Sequence, residues 1–173
     1  MTEKFKTLFF VKSSLISLYI ALTVPIPFIS SEELKITSLL FFILGLFLIT
    51  KITSDYVETC EKKISYKVSF ISRAFGKKNW EIFWEEIKSI KSLPTSQGSK
   101  VFYFIDNKGN NFLLPQRIEK FDNFLDNVNK KTDINTENIT YITPLWTYKL
   151  LTFLSFIMIF GEIILFWFRY YQD

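Results

Sequence analysis

Three long apolar runs decide what this chain can fold into. The first covers about residues 7–29 and carries one charge, Lys12; the second covers 34–53, its uncharged centre bounded by Lys35 and Lys51. The third covers 150–168 and is interrupted only by Glu162. A helix rises ~1.5 Å per residue, so ~20 residues cross a ~30 Å hydrocarbon core. The first and third runs reach that length outright, and the second does so when its two lysines snorkel to the headgroups. A soluble amphipathic helix would need a polar stripe at a period near ~3.6 residues. Between positions 36 and 50 only Thr37, Ser38, Gly45 and Thr50 are not apolar, too few to make one. Trp146 and Tyr148 precede the third run, while Trp167, Tyr170 and Tyr171 close it, the aromatic belt of two membrane interfaces.

Only Ser30, Ser31, Glu32 and Glu33 separate the first two runs, and Pro25 and Pro27 end or kink the first helix. The pair therefore reads as an antiparallel hairpin. Lys4, Lys6 and Lys12 lie at its open end, and Glu32 and Glu33 lie in its turn. The positive-inside rule then expects the N-terminus and the central domain to be cytoplasmic, or stromal, and the C-terminus outside after a third span. The expected division is a two-span hairpin over 1–53, a soluble domain over 54–132, a linker over 133–145, and a third span with a short tail over 146–173.

Residues 54–145 hold 14 of the 21 basic and 12 of the 17 acidic residues, a net charge of +2. Ile64, Tyr66 and Val68 alternate with polar neighbours, a strand pattern expected to continue through Phe75. Residues 76–79 read as a turn, and Trp80, Ile82 and Trp84 as one face of a returning strand. A further strand is expected from Ile87, stopping before Leu93, then one over 100–105. Asp106 to Asn110 form a hairpin loop in which Gly109 supplies positive φ. Ile118, Phe121, Leu125 and Val128 make the apolar face of an amphipathic helix expected over 116–131. The fold class is thus an α+β membrane protein, its antiparallel β domain closed by a helix.

Residues 64–90 (ISYKVSFISRAFGKKNWEIFWEEIKSI), 100–115 (KVFYFIDNKGNNFLLP) and 117–128 (RIEKFDNFLDNV) resemble the bacterial pleckstrin-homology-like (PH-like) domain found behind transmembrane hairpins. More remotely, the hairpin followed by Phe75-Gly76-Lys77-Lys78-Asn79 is similar to the cyanobacterial and plastid photosystem I assembly factor with two N-terminal spans. The chain departs from that factor in having a third span. Its Lys-, Ile-, Asn- and Phe-rich composition fits an AT-rich genome of cyanobacterial or plastid type.

The chain has no His and one Cys, Cys60. Ser-His-Asp and Cys-His catalysis, His-ligated zinc and internal disulfides are thereby excluded. No phosphate-cradling Gly loop occurs, and Glu85 and Glu86, as strand neighbours, would face opposite ways. No enzymatic activity and no cofactor or metal is expected, and a net of +2 is too little for nucleic-acid binding. Two features stand out instead. Arg73, Lys77 and Lys78 cluster at the first turn beside Trp80, as candidate contacts for anionic lipid or a partner; the PH-like resemblance implies a headgroup-facing loop there. Glu162 lies within ~4–5 Å of its span's midplane, where a carboxylate must be neutralised, paired or turned toward protein. Its candidate counter-groups are Thr37, Ser38 or a partner subunit. Aromatic patches around Trp80, Trp84 and Tyr103 are the expected docking surface for a membrane-protein partner. The expected role is therefore contact that assists the assembly or stability of a membrane complex; the alternatives are an anionic-lipid-sensing module, or a small subunit of a transporter or channel complex that uses Glu162.

Overall fold

The computed structural model describes residues 2–172, and the chain divides into two units. One comprises the segment ending at Leu8 together with Ser54–Pro144; the other comprises Phe9–Thr53 and the segment from Leu145 onward.

Among the described residues the first unit contains seven strands, each antiparallel to the strands it pairs with. β1 (Glu3–Lys6), β2 (Tyr56–Thr59), β3 (Lys63–Lys67) and β4 (Trp80–Phe83) form one sheet in that order. β5 (Ile87–Pro94), β6 (Lys100–Asp106) and β7 (Asn111–Leu113) form the second. β1 was not expected. It lies ahead of the apolar helical hairpin, so the boundary read at 53/54 is corrected: the β-containing unit is assembled from two pieces of chain, with the hairpin inserted between its first two strands. Phe5 explains why. It is the one apolar side chain of β1, sits opposite Val57 in register, and packs edge-on against Phe124 at 5.5 Å. Glu3 adds a carboxylate that accepts the Asn127 amide hydrogen at 2.6 Å.

Between β3 and β4 the expected strand extension is a helix, α4 (Phe70–Ala74). Ser69 caps its start by accepting the Ser72 N–H at 3.1 Å. Its end is a Schellman closure, with Gly76 N–H donating to the Arg73 carbonyl and Lys77 N–H to the Ser72 carbonyl. Gly76 sits at φ +86°, which a residue with a Cβ rarely adopts. Trp84 likewise leaves the expected strand. It opens a 3-10 turn, Trp84–Glu86, and is buried, its indole N–H donating to the Cys60 carbonyl at 2.9 Å. β5 runs on through Pro94 instead of stopping before Leu93, because Leu93 and Pro94 pair with Val101 and Lys100. The loop at Gly109 (φ +85°) is as expected, with Asp106 accepting the backbone N–H groups of Lys108 and Asn110.

The closing helix, α5, spans Phe121–Thr132 and starts later than the apolar period suggested. Lys120 is left-handed (φ 52°), and the residues before it bridge to the segment after β1: Ile118 pairs antiparallel with Thr7, Leu8 N–H donates to the Arg117 carbonyl and Glu119 N–H to the Lys6 carbonyl. Ile118 is still core, but from this bridge and not from the helix. Phe121, Phe124, Leu125 and Val128 bury the inner face of α5 against Val57, Ile64, Ile82, Phe102 and Phe104. Residues 133–145 are not a free linker, since Ile139 is buried and Ile134 and Tyr141 pack on the same core.

The second unit holds three helices long and apolar enough to cross a membrane: Phe9–Ile29, Glu32–Ile52 and Leu145–Arg169. The first breaks at Val24 into α1 (Phe9–Thr23) and α2 (Pro25–Ile29), with Pro25 opening α2. α3 is Glu32–Ile52 and α6 is Leu145–Gln172. The α1–α2 segment and α6 run side by side in the same direction, since Lys149 lies over the Phe10 ring (5.1 Å) and Phe28 meets Phe166 (4.9 Å). Small residues allow the approach: Ser14, Ser17 and Ala21 on α1 and Ser155 on α6 are buried. α3 folds back on α1. Tyr19 donates its hydroxyl to the Phe42 carbonyl at 3.0 Å, and Gly45 leaves the room its ring occupies.

Candidate membrane and partner contact sites

The buried carboxylate of Asp55 organises the turn that carries the sequence-predicted cations. Asp55 is 5% exposed and follows the end of α3 by three residues. Its Oδ1 accepts from Ser69 N–H (2.9 Å) and Ser72 Oγ–H (2.8 Å), and its Oδ2 from Lys77 Nζ (2.7 Å) and Tyr66 Oη–H (3.2 Å). The Asp55 carbonyl in turn accepts the Thr7 hydroxyl at 2.8 Å. The carboxylate thus ties both ends of α4 to strand β3, and the backbone carbonyl of the same residue holds the segment leading out of β1. Asn79 completes the loop by accepting Val68 N–H at 2.8 Å.

This separates the predicted site residues. Lys77 is committed to Asp55 in a short charge-assisted bond, so it is first a tether. Arg73 and Lys78 are exposed. Trp80 does not stand with them: it is half-buried and packs among Tyr66 (5.9 Å), Phe104 (6.1 Å) and Phe112 (5.6 Å). Sequence reasoning missed two neighbours, Phe70 and Phe75, which are 80% and 71% exposed. They were read as strand residues, and only the short helix turns them outward.

Burial first, then the neighbouring Asp55 carboxylate, pushes the Tyr66 phenol well above its usual value near 10. The folded domain therefore keeps the phenol neutral at a pH where the unfolded chain ionises. This stabilisation is complete below about pH 10 and is lost as pH rises from there toward the raised folded value. Melting of the native chain should accordingly fall more steeply above about pH 10 than that of Tyr66→Phe; parallel slopes would contradict the assignment.

A second surface lies on the outer face of the three-stranded sheet. Phe102, Phe104 and Asp106 point inward, so Val101, Tyr103 and Ile105 point out. Leu93 stands opposite Val101, and Leu113 opposite Tyr103. Leu93 and Leu113 are 44% and 47% exposed. Of the three aromatic positions expected to dock a partner, Tyr103 alone is on this outer face; Trp84 and Trp80 serve the interior.

In the second unit, Leu151, Thr152, Ser155, Ile159, Glu162 and Phe166 share the less exposed stripe of α6, while Phe153, Phe156 and Phe160 face outward. Glu162 Oε2 is buried and has no hydrogen-bond partner among the described residues. Neither Thr37 nor Ser38 reaches it; the Ser38 hydroxyl donates to Lys35 within α3. An unpaired acidic side chain near mid-span costs about 2.5 kcal/mol or more on insertion scales. Glu162→Leu should therefore insert more favourably by about that amount in a membrane-insertion assay. Equal or poorer insertion would show that the chain itself satisfies the carboxyl.

No protein-family model matches the chain. It is 28% identical over 155 residues to the uncharacterized protein slr0269 of Synechocystis sp., covering 86% of this chain and 77% of that one. The relative is cyanobacterial. A match of that length runs through both units, and the relative's name assigns it no activity.

Proposed function

We propose that this chain is a non-enzymatic integral membrane protein. It holds a PH-like domain at the cytoplasmic or stromal surface of a plasma or thylakoid membrane and uses that domain to bind a membrane-protein partner, assisting assembly or stability of the complex. The PH-like reading is supported by the sequence resemblance together with the arrangement of four and three antiparallel strands closed by a helix. The orientation is supported by charge: Lys12, Lys51 and Lys149 mark the helix ends joined to the domain, while Glu32 and Glu33 sit in the far turn.

The observation that carries the proposal is the apolar outer face of β5–β6–β7. A single exposed Leu is ordinary; Leu93, Val101, Tyr103, Ile105 and Leu113 share one sheet face, with Ser89, Lys91 and Asn111 as their polar neighbours on it. Both ends of the domain run into membrane spans, which restricts its partners to proteins at the same surface. The unpaired Glu162 oxygen adds a second contact, within the bilayer, for a partner helix that offers a hydrogen-bond donor. Native-gel migration after extraction in mild detergent tests the reading: a stable assembly much larger than the protomer is expected, and a lone protomer would refute it.

A further inference from the structure

We propose that the β3–β4 loop is an interfacial wedge. Phe70 and Phe75 enter the boundary between headgroups and acyl chains of the bilayer that the chain itself spans, while Arg73 and Lys78 meet anionic headgroups. The inference rests on the membrane-protein reading and adds a lipid contact that the partner-binding role does not require.

Four observations point the same way. Phe70 and Phe75 are 80% and 71% exposed, and no other large apolar side chain described in the soluble unit exceeds 48%. They are held out rigidly, since the Ser69 cap, the Gly76 closure and the Asp55 hub fix α4 at both ends. The hub is close to the end of α3 by connectivity: Asp55 lies three residues beyond Ile52, a reach of about 10 Å even when extended. Residues 68–80 carry three cations and no acid, and with Lys77 occupied by Asp55, Arg73 and Lys78 remain to face outward. Aromatic side chains flanked by cations suit the interfacial zone of a bilayer. A protein-docking face of standard size needs about 800 Å² per partner, far more than one phenylalanine on a five-residue helix and a second at its C-cap present.

The distinction between tether and headgroup contact dictates the variants. Charge reversal at Lys77 would break the Asp55 hub, so Arg73→Glu with Lys78→Glu is the informative pair. The full chain bearing Cys60→Ser receives a single cysteine by Phe70→Cys, Phe75→Cys or Asn107→Cys. Each variant is nitroxide-labelled and reconstituted into phosphatidylcholine vesicles with or without phosphatidylglycerol. Collision rates are then read with oxygen and with an aqueous nickel chelate. Labels at 70 and 75 should be several-fold less accessible to nickel than the label at 107, yet open to oxygen. The Arg73/Lys78 charge reversal should weaken that protection in the phosphatidylglycerol vesicles. Nickel access at 70 and 75 equal to that at 107 would overturn the wedge, as would shielding from both reagents, which marks a protein cover. Extraction of the chain by alkaline carbonate would instead overturn the membrane reading itself; retention with aqueous labels sinks only the wedge.

Discussion

Asp55→Ala is expected to destabilise the soluble unit by about 3–5 kcal/mol, the range for breaking a buried charged hub. Removal of the carboxylate leaves Ser69 N–H, the Ser72 and Tyr66 hydroxyls and the Lys77 ammonium without their shared acceptor. The first three have little water to turn to, and a buried unsatisfied donor costs roughly 1–3 kcal/mol. Lys77→Ala removes one half-exposed cation and leaves the Asp55 carboxylate its three other donors, so it should cost less, roughly 1.5–3 kcal/mol, the range for one hydrogen bond to a charged group. Thermal or denaturant unfolding gives the ranking, and hydrogen exchange gives the location. Amides of residues 66–79 should lose protection in Asp55→Ala before the β5–β7 sheet does. Equal losses from the two variants, or uniform loss of protection, would show that Asp55 is not the organiser of the loop.

Phe5→Ala should be comparably damaging, at about 3–5 kcal/mol, the usual range for truncating a buried Phe. The magnitude follows from its position. Phe5 is 4% exposed, lies opposite Val57 and packs against Phe124. A domain that began at residue 54 would be indifferent to the change. The same substitution at Phe9, 63% exposed on α1, should leave unfolding of the soluble unit within about 0.5 kcal/mol. If Phe5→Ala behaves like Phe9→Ala, β1 is not part of the β domain, and the insertion of the hairpin between β1 and β2 is wrong.

What could be read from the sequence depended on how local the signal was. The spans declare themselves through runs of some twenty apolar residues, and the Gly109 loop through Asp, Asn and Gly at fixed offsets. Phe121, Leu125 and Val128 carry the helical period of α5 in their own spacing. β1 carries almost nothing: Glu-Lys-Phe-Lys has one apolar residue, and its pairing partner lies some fifty positions away. Its only cue is the Thr7 hydroxyl, and that contact is long-range too. α4 is a different failure. Ser69 and Gly76 are start and stop signals for a short helix, but β-forming Phe and Ile between them outweighed the caps. Asp55 had no local signature, because its four donors come from residues 66–77. The onset of α5 shifted because Lys120 adopts a left-handed backbone while Ile118 keeps its core position from its bridge to Thr7.

Site-specific photo-crosslinking in intact membranes tests whether a membrane-protein partner docks on the outer face of β5–β6–β7. A photoreactive residue would replace Val101, Tyr103 or Leu113 in turn, with Asn107, exposed in the hairpin loop, as the comparison. The account predicts that all three sheet positions yield an adduct with the same integral membrane protein and that position 107 does not. Absence of adducts from the sheet face, or the same adducts at position 107, would contradict it.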